Sequence, residues 1–169
     1  MKEVYGDIWE YPARYICITT NGDVRKNGAA VMGRGVALQA KQRFHGLDFR
    51  VGAVLSISGN RMFTFYVDWD RRTSEGKPIH IVTFPVKHHW YENADPILIE
   101  KSAQALKLFA LSCPSDIFVL PRPGCDNGGL KWYQVKPILE NVGLPDNIHV
   151  ITLVNFSGKE KKETVNAIY

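Results

Sequence analysis

The sequence predicts an α/β fold, a sheet covered by helices, and three observations carry that expectation. Near-continuous apolar runs, Tyr15-Ile-Cys-Ile-Thr-Thr20, Ile79-His-Ile-Val-Thr-Phe84 and Asp116-Ile-Phe-Val-Leu120, read as strands buried on both faces. Strand-like and helix-like segments alternate along the chain, the pattern of a layered α/β domain. Each run is followed by a loop rich in glycine or charge: Met32-Gly-Arg-Gly35, Pro85-Val-Lys-His-His-Trp90 and Pro121-Arg-Pro-Gly-Cys-Asp-Asn-Gly-Gly129. In such sheets ligands bind in the crevice beyond the carboxyl ends of the strands, so these loops predict one composite site.

The elements follow in order. Val4 to Trp9 reads as a first strand, ended by Tyr11-Pro12, and Arg14 to Thr20 as a second. Gly35 to Phe44 reads as a helix, with Val36, Leu38, Ala40 and Phe44 among its apolar positions. Val51 to Ser58 and Met62 to Asp68 read as strands around a hairpin turn at Ser58-Gly-Asn-Arg61. Ile79 to Phe84 is another strand. Asp95 caps a long helix with Pro96 at its first position, and Ile99, Ala103, Leu106 and Ala110 recur at helical spacing. Asp116 to Leu120 is a buried strand. Trp132 to Val142 is a helix ended by Gly143, and Pro137 inside it predicts a late start or a kink. Ile148 to Val154 is the last strand, before a polar tail over residues 157–169.

The 169 residues suit one domain. Hydrophobic residues make up 45% and charged residues 22%, ordinary for a globular chain. No apolar stretch approaches the ~20 residues that span a bilayer, so no membrane is expected. Met1-Lys-Glu-Val-Tyr5 gives no leader core, and Cys17, Cys113 and Cys125 have no paired spacing, which predicts a reducing, cytoplasmic setting. The net charge of +4 favours anionic ligands in general. Much of that charge is interleaved with acids, as in Lys159-Glu-Lys-Lys162, the pattern of a solvated surface.

Gly33-Arg34-Gly35 opens a helix, where free N–H groups and bare backbone suit a phosphate; glycine before a helix also occurs without any ligand. Gly124 to Gly129 suits either a backbone nest for an anion or a plain tight turn. Lys87 lies three residues past a buried strand among aromatic neighbours. A desolvated lysine loses proton affinity and becomes a nucleophile, while the bland alternative is a surface lysine. His88 and His89 face different ways with no ligand-spaced partner, so no metal is expected. Cys125 has no paired general base and reads as a small buried residue. Asp7 suits either a base amino group or a strand-end turn, and Asn21 either a ribose hydroxyl or an Asx turn. Phe156 packs either on a purine or on the core.

These loops, in this order, resemble the macrodomain family, which binds ADP-ribose. Gly6-Asp-Ile-Trp9 is similar to the family's early signature, and Asn21 with Val31-Met-Gly-Arg-Gly-Val-Ala-Leu-Gln39 to its first phosphate loop. Thr83-Phe-Pro-Val-Lys-His-His-Trp90 and Gly124-Cys-Asp-Asn-Gly-Gly-Leu-Lys-Trp132 resemble motifs of one subgroup. That subgroup holds antitoxins that remove ADP-ribose from DNA bases and the terminal ADP-ribose protein glycohydrolase.

The resemblance implies a three-layer α/β/α fold with a central mixed sheet, one macrodomain over residues 1–169 with its core at about 4–156. It implies adenine contacts from Asp7 and Ile8, with Phe156 nearby, and distal-ribose contacts from Asn21. Gly33, Arg34, Gly35 and Val36 on one side, and Gly124, Cys125, Asn127, Gly128, Gly129 and Leu130 on the other, would hold the rest of the ligand. Lys87 falls at the subgroup's catalytic lysine, with Asn21 and Asp126 as the other catalytic candidates. The protein glycohydrolase carries an aspartate where this chain has Gly128, and the loop after Asn21 is longer here. The implied function is an ADP-ribosyl glycohydrolase acting as a monomer, without cofactor, on ADP-ribose carried by a DNA base, a protein or a small molecule. The alternatives are a phosphatase or deacetylase on an ADP-ribose derivative and a non-catalytic ADP-ribose reader.

Overall fold

Side chains alternate along the buried strands and so build two cores, one on each face of a sheet. The computed structural model describes residues 1–154. Its elements run β1 (Lys2–Gly6), β2 (Tyr15–Thr20), α1 (Gly35–Arg43), α2 (Leu47–Ser58), β3 (Thr64–Tyr66), β4 (His80–Pro85), α3 (Pro96–Ser112), β5 (Phe118–Pro121), α4 (Trp132–Val142) and β6 (Ile148–Leu153). The sheet order is β1-β6-β5-β2-β4-β3. All neighbours are parallel except β3, which runs antiparallel on β4 at the edge. The sheet is therefore mixed. Ile16, Ile18, Ile81 and Val119 face Val36 and Ala40 of α1 and Leu47 and Val51 of α2. Tyr15, Cys17, Phe84, Phe118 and Leu120 face Ile99, Ala103 and Leu106 of α3 and Val135 and Leu139 of α4. Each large apolar side chain among these contributes ~1.5–3 kcal/mol by leaving water. The result is the predicted α/β/α sandwich.

The long helix is capped as expected: the Asp95 carboxylate accepts from the Ile97 N–H, with Pro96 in the first turn. Four differences from the expected elements have local causes. Val51 to Ser58 is not a strand but most of α2, so there is no hairpin at Ser58-Gly-Asn-Arg61. Leu47, Val51 and Leu55 are four apart and bury one helical face. Strand β1 stops at Gly6, because Asp7 turns the chain by accepting from the Trp9 N–H at 2.8 Å. Strand β3 keeps only Thr64–Tyr66 of the predicted Met62 to Asp68. Helix α4 starts on time at Trp132 despite Pro137. The Gln134 side chain holds the first turn by accepting from the Lys131 N–H at 2.8 Å. Phe156 and the 157–169 tail lie outside the described residues.

Candidate active site

Strands β2, β4 and β5 are parallel, so their carboxyl ends reach one edge of the sheet and deliver three loops there. The loops enclose a cleft of about 820 Å³, lined from β2 onward by Asn21, Met32, Gly35, Lys87, Asp126 and Asn127 among others, with Leu153 of β6 at one end. The middle segment is laced to both neighbours. The Gly22 N–H donates to the His88 carbonyl at 3.1 Å, and the Ala94 N–H to the Gly128 carbonyl at 2.8 Å. Asn60, just past α2, donates to the Lys87 carbonyl at 2.8 Å.

The two glycine loops face each other. Helix α1 has no side-chain cap, so its first N–H groups remain uncommitted at the cleft wall. Gly35 has φ +57°, and a Cβ there would lie 3.3 Å from Asn127 Nδ2. Across the gap, Asp126–Gly128 form a 3₁₀ turn entered through Asp126 at φ 55°, a left-handed conformation uncommon outside glycine. Gly35 adds no side chain of its own beside the Asn127 amide, which leaves room for a group that must approach the N–H donors of α1 closely. Partial positive charge at the start of α1, with the Arg34 and Arg122 side chains on the lining, makes that room suit an anion.

Lys87 stands between these walls. Its Nζ donates to the Asn127 carbonyl at 2.7 Å, with the Trp90 carbonyl at 3.5 Å. Burial, and then the Arg34 guanidinium, hold this amine below the ordinary lysine range. A lowered proton affinity and a fixed position both favour a nucleophilic amine.

Solved structures share this architecture. The macrodomain of Mycobacterium tuberculosis DarG superposes with a TM-score of 0.71 at 25% identity, over 90% of this chain and 97% of that one. The chain has the macrodomain fold. Thermosipho africanus DarTG in complex with ADP-ribose matches with a TM-score of 0.73 at 17% identity, over 95% of this chain and 43% of that one. In sequence, a DNA ADP-ribosyl glycohydrolase of Thermus aquaticus is 28% identical over 136 residues, which is 80% of this chain. The chain spans only 36% of the length of that relative. No family model matches the sequence.

The cleft gathers most of the residues singled out in the sequence. Asn21, Lys87, Asp126, Gly33, Arg34, Gly35, Val36, Gly124, Cys125, Asn127 and Gly128 all line it. Asp7 and Ile8 do not. They follow Gly6, which pairs with Leu153 at the end of the cleft; Asp7 is engaged with the Trp9 N–H, and the Ile8 side chain is buried in the core. Gly129 and Leu130 also lie off the lining. A Cβ on Gly129 would meet Asn93 Oδ1 at 2.9 Å, and the Leu130 N–H closes the loop onto the Gly124 carbonyl at 3.0 Å. Asn21 uses its side chain locally, donating to the Val31 carbonyl and accepting from the Asp23 N–H, each at 3.0 Å. That is the Asx turn, and it anchors the long loop. Burial pushes the Cys125 thiol up to about 11, so it stays protonated and is no nucleophile at neutral pH. A Cβ on Gly128 would meet the Ala94 Cβ at 3.0 Å, so a side chain there would press on the neighbouring loop.

Other lining residues escaped the sequence reading: Arg25, Tyr91, Glu92 and Asn93, while Trp90 and Arg122 stood within the strand-end loops without a role of their own. Asp23 escaped it too. Its carboxylate accepts from the Trp90 N–H and bonds His89 Nδ1, both at 2.8 Å, which raises the His89 pKa. These residues lie on loops without periodicity, and the pairing of Asp23 with residues 66 and 67 positions away leaves no local signal. Among the described residues no three His, Cys, Asp or Glu side chains form a metal-like group, and no helix is long and apolar enough to cross a membrane.

Proposed function

We propose that the cleft binds ADP-ribose and that the protein is an ADP-ribosyl glycohydrolase that clears ADP-ribose from modified DNA bases. The observation that carries this reading is Lys87, a lysine of lowered pKa fixed between two facing backbone walls. The walls of Gly33 to Val36 and of Asn127 would take the diphosphate, with adenine toward Leu153 and Asp7 and the distal ribose toward Lys87. Binding at micromolar strength, about −8 kcal/mol, is expected. The DNA substrate is supported by the name of the Thermus aquaticus relative.

In the reaction, the neutral Lys87 amine bonds to C1″ of the distal ribose. The bond from C1″ to the leaving base breaks, its electron pair goes to the base, and the amine proton follows. Ring opening then gives a Schiff base between Lys87 and C1″, with a proton passing from nitrogen to the ring oxygen. Water adds to C1″, and the lysine is expelled as free amine with ADP-ribose released. Asp126, exposed on the cleft lining, would take a proton from that water as general base. Free Cys17, Cys113 and Cys125 suit a reducing, cytoplasmic setting.

A second reading, a non-catalytic reader, is favoured by one observation: Ala94 crowds Gly128, where the protein glycohydrolase has its aspartate. Incubation with ADP-ribosylated DNA, ADP-ribosylated protein and ADP-ribose-1″-phosphate, read by mass spectrometry, separates the two. Tight ADP-ribose binding without release from any substrate would establish the reader.

A further inference from the structure

Beside Lys87 the cleft opens onto an aromatic pair that its walls do not cover. Trp90 is 56% exposed and Tyr91 68% exposed, their rings 5.7 Å apart and perpendicular. Large apolar side chains left in water on a firmly held segment call for a partner. The segment is firmly held. One carboxylate, Asp23, grips the Trp90 N–H and the His89 ring together. Glu92 accepts from the His89 N–H at 3.2 Å, and the His89 ring stacks on Tyr91 with centroids 5.5 Å apart. These bonds engage backbone and neighbouring groups and leave the indole of Trp90 without a structural task.

The charge around the pair indicates what covers it. Arg25 and Lys26, two and three residues beyond Asp23, are both on the surface, and neither pairs with a carboxylate among the described residues. Arg25 lines the same cleft as Trp90 and Tyr91. Planar aromatic faces next to unpaired cations are the two parts of a surface for single-stranded nucleic acid, with bases on the rings and phosphates on the cations. A carboxylate ester leaving group would use neither.

We infer that the exposed Trp90 indole, edged by Tyr91, is the platform on which the leaving nucleobase stacks, with Arg25 holding a flanking phosphate, so that these residues set the preference for a base over other leaving groups. The inference rests on the glycohydrolase reading. Trp90 is a positioning residue here, and Lys87 remains the nucleophile.

The test compares Trp90→Ala and Trp90→Phe with the parent protein on an oligodeoxynucleotide carrying ADP-ribose on a base, an ADP-ribosylated peptide and ADP-ribose-1″-phosphate. Trp90→Ala should lower kcat/KM on the oligonucleotide by roughly tenfold to a hundredfold more than on the other two, the range that base–aromatic stacking carries. Trp90→Phe should recover most of that difference. In a Lys87→Ala background, the oligonucleotide should quench tryptophan fluorescence where free ADP-ribose does not, and Trp90→Phe should abolish the quench. Equal losses on all three substrates, or a quench that survives Trp90→Phe, would overturn the platform. A parent protein that binds neither ADP-ribose nor the modified oligonucleotide would instead overturn the underlying glycohydrolase reading, and the platform with it.

Discussion

Replacing Gly35 by alanine tests the placement of the diphosphate between the two backbone walls. Two costs can be worked out from the structure. Gly35 has φ +57°, and an L-residue held in the left-handed region costs ~1–2 kcal/mol. For a chain of this size that is a fall in Tm of roughly 2–8 °C. The second cost is functional. The new methyl would sit 3.3 Å from Asn127 Nδ2, in the gap through which an anion must reach the N–H groups of α1. Losing even one hydrogen bond to a charged group costs ~1.5–3 kcal/mol, or roughly tenfold to over a hundredfold in Kd. Gly46→Ala is the control. It has φ +80° at the start of α2, with nothing within 4 Å of the added methyl, so it carries the same backbone cost away from the cleft. Thermal melts and calorimetry with ADP-ribose should show both variants destabilised and only Gly35→Ala weakened in binding. Unchanged affinity in a folded Gly35→Ala protein would refute the placement.

Two further predictions concern the framework and the pH response. Gly52→Ala should lower Tm although alanine is the better helix former, because its Cβ would lie 2.0 Å from the Gly28 carbonyl oxygen; overpacking costs ~1–3 kcal/mol against a propensity gain of ~1 kcal/mol. A raised Tm would contradict the contact between α2 and the loop after Asn21. Arg34→Gln should move the pH profile of kcat to higher pH at saturating substrate. Arg34 disfavours the charged form of Lys87, so removing it raises the lysine pKa and shrinks the neutral fraction at pH 7. A profile that stays in place would remove Lys87 as the group that must lose a proton.

The buried strands were legible in sequence because both their faces are apolar and both are covered, so Tyr15–Thr20 and His80–Pro85 appear as unbroken runs. Helix α3 was legible through its cap and its spacing. Helix α2 was not, because Val51-Gly-Ala-Val-Leu-Ser-Ile-Ser58 is rich in strand formers and carries a glycine. The glycine has a tertiary cause: the Gly28 carbonyl lies where a side chain would stand. At the site, Lys87 and the facing glycines were legible because strand ends deliver them. Gly128 was read as bare backbone facing the ligand, whereas its missing side chain makes room for Ala94. Asp23 and Tyr91 gave no signal, since their roles come from loops meeting in space.

The proposed release of ADP-ribose through Lys87 passes through a covalent intermediate on that lysine. Its most direct test is a single-turnover reaction on a base-ADP-ribosylated oligonucleotide, quenched with borohydride and read by mass spectrometry, for the parent protein and Lys87→Ala. The parent should restore the unmodified oligonucleotide and carry an ADP-ribose-derived mass on Lys87. Lys87→Ala should lose most turnover, carry no adduct and keep its ADP-ribose affinity to within ~1 kcal/mol, the signature of an interaction made in the transition state. Full release of ADP-ribose by Lys87→Ala would contradict the claim.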